Sequence, residues 1–333
     1  MLDPFTLVVI GILLALAFDF GNGMHDASNA ISTVVVTGVL TLRQAVAMSA
    51  FFNFVAAFVF TTAVAHTIGS GLVTPTMVTP IMVLAALIGA IFWVYWTSFV
   101  GLPISSSHSL IGGLLGAGIV GAGIGAIHVN NLLVVLSFIF VAPILGMVGA
   151  VIFSAITLWL VKGATPAHVN EYFRKLQLIS ASVYSLGHGT NDAQKTMGII
   201  SILLFSGGML GDDFYIPFWV VILSHLTIAV GTLTGGSTII KTMGMKITKL
   251  RPIHGFCAET SGAAVIIGAT LFGIPVSTTH VIAGSIGGVG MTRRTSAVHW
   301  GMARQIIFAW LFTIPVTAIT GAGAYLVLKA LIG

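Results

Sequence analysis

Two short runs of hydroxyl side chains have the residue types and spacing that bind an anion. Pro103-Ile-Ser-Ser-Ser-His108 and Pro275-Val-Ser-Thr-Thr-His280 each place three hydroxyls between an X-Pro turn and a Gly/Ala-rich stretch typical of a helix. Hydroxyls beside the free backbone N–H groups of a helix N-terminus bind anions without a fixed positive charge. Helix capping and small-residue packing would explain the same residues, but the recurrence of the run favours anion binding. The predicted ligands are Ser105, Ser106, Ser107, Ser277, Thr278 and Thr279.

Two glycine-rich runs, each ending in an acid, interrupt long apolar segments. They are Gly21-Asn-Gly-Met-His-Asp26 and Gly187-His-Gly-Thr-Asn-Asp192. We expect each to unwind a membrane helix, because irregular backbone at that depth is tolerated where it lines a cavity or is buried in protein. An ordinary helix N-cap is the structural alternative for each acid. Carboxylate and amide oxygens suit Na⁺, and carboxylates also carry H⁺. The predicted cation ligands are Asp26, Asn29, Asn191 and Asp192, with Na⁺ at Asp26 and Asp192 as one form of the site.

Ionisable residues inside apolar segments are functional candidates because each costs several kcal/mol to place there. Lys195 follows Asp192 by three residues, so it either pairs with that carboxylate or contacts the anion directly. Glu259 is the only carboxylate of its segment, which favours a gating or proton-carrying role. His25 is a candidate for the same role, with a hydrogen-bonded structural histidine as the alternative. Asp19 has no assigned role.

The balance of these charges indicates how an anion would be accommodated. Two motif aspartates, with Glu259 as a further acid, face a single lysine. An added anion would deepen the negative charge, at several kcal/mol for close like charges in a low-dielectric site. A cation that enters with the anion relieves this repulsion. The pattern therefore predicts cation-coupled anion symport, with Na⁺ or H⁺ as the cation and no other cofactor.

Composition places these residues in a membrane protein. The chain has 333 residues, of which 57% are hydrophobic and 6% charged, and its mean hydropathy is +1.09. Soluble domains carry about a quarter charged residues, so the composition excludes a soluble enzyme and a nucleic-acid-binding protein. A single cysteine, Cys257, excludes a disulfide scaffold. We predict an all-α polytopic membrane protein embedded in a lipid bilayer.

An internal repeat divides the chain into residues 1–165 and 166–333. Asp192 follows Asp26 by 166 residues, and His280 follows His108 by 172. Pro315 follows Pro143 by the same 172 residues. We therefore predict two homologous repeats that form one transport domain jointly, with the discontinuous helices and the Pro–Ser/Thr hairpin-like segments at equivalent places.

The distribution of basic residues predicts that the two repeats are inverted. With five crossings per repeat, eleven Lys and Arg fall on one side and Lys329 on the other, as the positive-inside rule requires. Five is odd, so the repeats have opposite orientations and both termini lie outside. Inverted repeats with broken helices are typical of secondary transporters. The ten predicted membrane segments are 5–38, 44–66, 79–101, 103–122, 131–161, 176–206, 216–240, 253–273, 275–291 and 305–329.

The four motifs together resemble the paired motifs of the PiT family of inorganic phosphate transporters, over essentially the whole chain. The His25-Asp26 pair is similar to bacterial low-affinity phosphate permeases, whereas sodium-coupled members commonly carry Asn-Asp, as Asn191-Asp192 does here. The resemblance implies a phosphate site between the repeats, with oxyanion contacts from the two hydroxyl runs and from the motif Asp and Asn residues. It also allows a homodimer. Residues 162–175 are short where family members often carry a long hydrophilic loop.

These observations predict a cation-coupled inorganic phosphate symporter of the inner (plasma) membrane that works by alternating access. A sulfate permease on the same scaffold is the nearest alternative. Phosphate donates a hydrogen bond and fully ionised sulfate does not, so carboxylate acceptors favour phosphate. An anion channel and an intramembrane hydrolase with His25 and Asp26 as a metal pair are further alternatives. The hydrolase would need more converging ligands.

Overall fold

The computed structural model describes residues 3–59, 61–235, 239–240, 243 and 247–332, and these residues are almost entirely helical. The all-α prediction is confirmed, since an isolated β-bridge between Val73 and Ile127 is the extended pairing found in the described part of the chain. Lys241 and Lys246, which contribute to the charge count, lie outside the described residues. The helices of residues 1–165 are α1 (Pro4–Val36), α2 (Leu42–Val55), α3 (Ala63–His66), α4 (Pro80–Val100), α5 (Ser106–Ala122) and α6 (Val129–Leu160). Those of residues 166–333 are α7 (Pro166–Ser206), α8 (Phe218–Thr234), α9 (Pro252–Leu271), α10 (Thr278–Arg293) and α11 (Trp300–Ile332).

Helix starts follow the local sequence. Pro4 begins α1 directly after Asp3, whose carboxylate accepts from the Thr6 N–H at 3.2 Å. Pro is favourable at the first helical position because its missing N–H would have no partner there. At the other end of α4, Gly101 adopts φ = +76°, the left-handed conformation that closes a helix. Capping and turn chemistry of this kind is set by neighbours in the chain, so it is readable from the sequence.

The prediction that α1 and α7 are discontinuous is wrong. Both helices run unbroken through their glycine-rich stretches, over 33 and 41 residues. The glycines instead permit close helix packing. A Cβ at Gly23 would collide with the Ile228 carbonyl oxygen of α8, and one at Gly189 would lie 2.6 Å from the Asn53 Cα of α2. Small residues allow membrane helices to approach in this way, and an intact helix leaves no backbone group unpaired in the membrane.

Two other features differ from the predicted segments. The bend lies between Leu42–Phe58 and Ala63–Gly71, which meet at 80°. Helix α7 begins at Pro166, so most of the stretch 162–175 is helical rather than loop. The exposed Glu171 and Lys175 form an i,i+4 ion pair there, with 3.6 Å between oxygen and nitrogen.

Four described helices are long and apolar enough to cross a membrane, and the bent pair would be a fifth. The chain is therefore a multi-pass membrane protein. The two helices that follow the hydroxyl runs are shorter, with 17 residues in α5 and 16 in α10. At 1.5 Å per residue they reach about 25 Å, less than the ~30 Å hydrocarbon core. The predicted number of ten membrane segments stays a prediction. The four spans are α1, α4, α6 and α11.

The two parts of the chain pack their equivalent helices against each other in a reciprocal way. Helix α5 packs on α4 and α11, and its counterpart α10 packs on α9 and α6. Helices α1 and α7 lie against each other at the centre. Thr196 donates to Asp19 Oδ1 at 2.8 Å, and Thr37 donates to Gln177 Oε1 at 2.9 Å. These two contacts pair early residues of α1 with late residues of α7 and the reverse, so the two helices are antiparallel.

Candidate functional site

The antiparallel packing of α1 and α7 brings together two acids that are 166 residues apart. Oxygen atoms of Asp26 and Asp192 and a ring nitrogen of His188 all lie within 4.8 Å of one another. All three side chains are buried. His188 Nε2 is 3.1 Å from Asp192 Oδ2, and its Nδ1 is 3.2 Å from Asn53 Oδ1. The sequence analysis did not assign His188 to the site, although it precedes Asp192 by four residues, one helical turn.

The two hydroxyl runs reach this centre from the N-termini of α5 and α10. Their first members are helix caps: Ser105 accepts from the His108 N–H at 3.2 Å, and Ser277 accepts from the His280 N–H at 3.3 Å. Capping is therefore a structural role of these two predicted anion ligands. The following hydroxyls turn toward the acids, in matching fashion from the two helices.

Three hydroxyls of the runs donate hydrogen bonds to the central carboxylates. Ser106 donates to Asp26 Oδ2 at 2.8 Å, and Thr279 donates to Asp26 Oδ1 at 3.4 Å. Thr278 donates to Asp192 Oδ2 at 3.2 Å. A hydroxyl has a single proton to donate. In this arrangement three of the donors predicted to bind an anion are therefore held by carboxylates.

Asn29 and Lys195 occupy equivalent positions of α1 and α7, and each reaches a hydroxyl of the other repeat. The Asn29 amide donates to Thr279 at 2.8 Å. The Lys195 ammonium donates to Ser107, to the Asp192 carboxylate and, at 3.1 Å, to the Val276 carbonyl. Lys195 is completely buried. It thus adopts the predicted pairing with Asp192 and touches an anion-site hydroxyl as well.

His25 and Asp26 are joined by a short hydrogen bond. His25 Nδ1 lies 2.6 Å from Asp26 Oδ1. His25 Nε2 lies 3.1 Å from the Leu102 carbonyl oxygen. His25 therefore contacts one oxygen of Asp26 and links it to the backbone at Leu102.

Asn191 and Glu259 make their hydrogen bonds to residues other than the central acids. The Asn191 amide donates to Thr270 of α9 at 2.8 Å, and its buried oxygen has no hydrogen-bond partner among the described residues. Glu259 accepts from Gln177 at 2.9 Å, and its other contacts join α1 and α7. These are hydrogen bonds of 2.5 Å from Thr33 and from Ser180.

The partners of Glu259 were missed by the sequence analysis although their spacing carries a signal. Asp26, Asn29 and Thr33 follow one another by three and four residues, the spacing of one helix face. This periodicity marks a helix face but does not show that Glu259, on a different helix, packs against it. The same holds for Gln177 and Ser180 on α7.

His108 and His280 lie beside the site without joining it. Their ring centroids are 4.9 Å apart, and His280 stacks on Trp310 at 3.7 Å. His280 Nδ1 is 3.3 Å from the Ile139 carbonyl oxygen. These contacts give His280 a structural role beside the hydroxyl runs.

A buried centre of paired carboxylates, hydroxyls and an ammonium is the arrangement expected for an ion-transport site in a helical membrane protein. Comparison with known proteins specifies it further. The model of the phosphate transporter family matches residues 22–167 and again 161–321. This chain belongs to that family.

Individual relatives agree. A protein of Rhizobium meliloti (strain 1021) named "probable low-affinity inorganic phosphate transporter" is 53% identical over 321 residues, 96% of each chain. A protein of the same name from Bacillus subtilis (strain 168) is 42% identical over 325 residues, 97% of each. A solved structure titled "The sodium-dependent phosphate transporter" superimposes with a TM-score of 0.88 at 26% identity, covering 98% of this chain and all of that one. The resemblance to phosphate transporters is confirmed.

Proposed function

We propose that this protein carries inorganic phosphate across the plasma membrane together with Na⁺ or H⁺, by alternating access. Membership of the phosphate transporter family and the names of its relatives support phosphate as the substrate. The coupling to a cation is supported by the occupancy of the hydroxyl donors at the centre.

Those donors have to be released before they can hold an anion. Ser106 and Thr279 are bonded to Asp26, and Thr278 is bonded to Asp192. A cation bound to the two carboxylates competes for the same oxygens. The hydroxyl groups are then released and can donate their protons to phosphate. Without the cation, the hydroxyls stay bonded to the carboxylates, and the carboxylate charges repel the phosphate. This observation carries the proposal, since it makes cation and phosphate binding mutually dependent.

The ligands proposed for the coupling cation are oxygens of the central acids and of the neighbouring amides. The buried oxygens of Asn29 and Asn191 have no hydrogen-bond partner among the described residues, so both are free to face a cation. At Asp26 the cation would lie beside His25, Ser106 and Thr279, which all contact that carboxylate. Phosphate rather than sulfate fits such a site, because protonated phosphate can donate to a carboxylate.

Glu259 is proposed as part of a gate at one end of the site. It holds α1, α7 and α9 together through Thr33, Gln177 and Ser180. Alternating access needs one end of the α1–α7 interface to open while the other stays closed. A fully hydrogen-bonded carboxylate that ties three helices is suited to hold the closed end.

We further propose that residues 1–165 and 166–333 are inverted repeats, with ten membrane segments and both termini outside. The antiparallel packing of the equivalent helices α1 and α7 supports opposite orientations. In a Cys257-free background, cysteines at Gly163 and Ser296 should label from inside and cysteines at Gly125 and Asp213 from outside. Gly163 and Ser296 reacting from opposite faces would contradict the inversion. The homodimer stays a prediction.

Uptake of labelled phosphate into proteoliposomes tests the transport function. Na⁺ and H⁺ gradients are imposed separately, with sulfate as competitor. We expect uptake that one of the two gradients drives and that excess sulfate does not suppress. Uptake indifferent to both gradients would instead indicate a channel, and strong suppression by sulfate would indicate a sulfate permease.

A further inference from the structure

Asp19 is a carboxyl group inside the protein that the central site does not use. It is completely buried on α1, and Thr196 of α7 donates to its Oδ1 at 2.8 Å. Its Oδ2 has no hydrogen-bond partner among the described residues. The ion pairs found between described residues also leave Asp19 out.

Asn22 lies one turn further along the same helix and is equally unsatisfied. Its side chain is completely buried, and neither amide atom has a partner in the described part of the chain. Asp19, Asn22 and Asp26 follow one another by three and four residues, so they share a face of the continuous α1. Asn22 therefore stands between Asp19 and the central site.

A proton on Asp19 resolves two of these unsatisfied atoms at once. A lone ionised carboxylate is costly in a membrane interior, and buried acids neutralise instead. A protonated Asp19 gains an O–H donor at Oδ2, and the Asn22 oxygen one turn away is an acceptor without a donor. One hydrogen bond between them would satisfy two orphaned atoms and remove the charge.

The charged and titratable groups around Asp19 are bonded to other partners and do not supply it with a counter-charge. On α7, Asp192 and Lys195 act on it electrostatically, but the two are paired with each other. On α4, the Tyr95 hydroxyl donates to the Ala17 carbonyl at 3.1 Å. On α8, His225 Nδ1 lies 2.9 Å from the Val221 carbonyl oxygen. On α1 itself, His25 and Asp26 are bonded to each other.

We infer that Asp19 is a proton-binding site, with Asn22 as its acceptor, placed on the α1 face that leads to Asp26. The site belongs to one repeat, since Ser185 stands at the equivalent position of α7. Asp19 and Glu259 lie on opposite sides of the central site. Asp19 bonds to Thr196, which follows Asp192 on α7, whereas Glu259 bonds to Ser180, which precedes it. Its link to phosphate rests on the proposed function, but its occupancy by a proton does not.

Infrared spectroscopy of the whole protein in lipid tests the occupancy directly, through the C=O stretch of protonated carboxyl groups. We expect Asp19→Asn to lose one component of that band at neutral pH. Asp3→Asn is the control, the same change at an exposed helix cap of α1. It keeps the fold, because Asn caps as well as Asp, and it should leave the band intact. An unchanged band in Asp19→Asn would overturn the proposal.

Thr196→Val provides a second test that keeps Asp19 in place. It removes the hydrogen bond to the carboxyl group, so the Asp19 component should move to higher frequency. If Asp19→Asn fails to fold, an unshifted band in Thr196→Val overturns the proposal on its own.

Phosphate affinity against pH separates this inference from the proposed function. If the Asp19 proton is coupled, affinity in the wild type should change by up to about tenfold per pH unit, and Asp19→Asn should flatten that dependence. Loss of the infrared component with pH-independent phosphate affinity would support the proton site and contradict proton coupling.

Discussion

The α1 and α7 sides of the central site have the same framework but different counter-charges. Asp26 accepts from a hydroxyl of α5 and one of α10, and Asp192 accepts from a hydroxyl of α10. On α7 the acid is paired with the ammonium of Lys195, three residues on, and also contacts His188. On α1 the position equivalent to Lys195 is the neutral Asn29, and the acid bonds to His25 instead.

The difference shows how a duplicated site can divide two tasks. The Lys195 ammonium lies between its carboxylate and Ser107, where it can also meet an anion. Asp26 has no such ammonium beside it among the described residues, so a coupling cation would supply the missing positive charge there. We therefore expect α7 to hold the anion and α1 to respond to the coupling cation.

The largest effects should come from Asp26→Asn and Asp192→Asn, which keep the shape of the side chain and remove its charge. Transport should fail in both, but binding should differ. Asp26→Asn should abolish the dependence of phosphate affinity on Na⁺ or pH. Asp192→Asn frees the Lys195 charge, so cation-independent phosphate binding should survive. By linkage, any cation that tightens phosphate binding is itself bound more tightly with phosphate present, by the same factor. Equal binding behaviour of the two variants would remove the proposed division.

Lys195→Met should destabilise the protein because it leaves Asp192 buried without its counter-charge. Breaking a buried pair in this way costs about 3–5 kcal/mol. Asn29→Leu, the equivalent change on α1, removes neutral hydrogen bonds and should cost about 1–3 kcal/mol. Denaturation in detergent measures both. The comparison of the two sides predicts this order, and the reverse order would contradict it.

Loss of a single hydroxyl should have a smaller effect on phosphate. Ser106→Ala and Thr278→Ala each remove one donor to a buried anion, at about 1.5–3 kcal/mol. The phosphate Kd should rise by one to two powers of ten in each variant. Ser105→Ala is the control: it removes a helix cap, so it should lower stability by about 1 kcal/mol with little change in affinity. Unchanged affinity in Ser106→Ala and Thr278→Ala would show that the hydroxyl runs serve helix capping and packing and do not bind phosphate.

Substitution of the motif glycines should have a comparable or smaller effect, on stability. In Gly23→Ala and Gly189→Ala the new Cβ would meet backbone atoms of α8 and α2, and overpacking of this kind costs about 1–3 kcal/mol. Gly268→Ala in α9 is the matched control, since a Cβ there meets nothing within 4 Å. If all three are tolerated alike, the glycines do not serve close packing on either side.

The sequence by itself determined the class of protein, and it predicted the repeat and most residues of the central site. Hydropathy is a property of each segment, and Pro, Ser and Gly act on their immediate neighbours, so membrane helices and helix starts are readable locally. Asp26, Asp192 and Lys195 were recognisable because ionisable groups are expensive in an apolar segment. Their convergence followed from the repeat.

Only the tertiary structure decided what each polar group and each glycine does. From the sequence, Gly23 and Gly189 could either unwind a helix or allow a neighbouring helix to pack closely. The backbone of α8 lies against Gly23 and that of α2 against Gly189, so their role is close packing. Ser105 and Ser106 are adjacent and chemically identical, yet one caps a helix while the other reaches Asp26 from 80 residues away. Thr33, Gln177 and Ser180 gain their role from Glu259, a partner on a third helix. A hydrogen bond depends on two groups meeting in space, and a sequence specifies such meetings only through the packing of the whole chain.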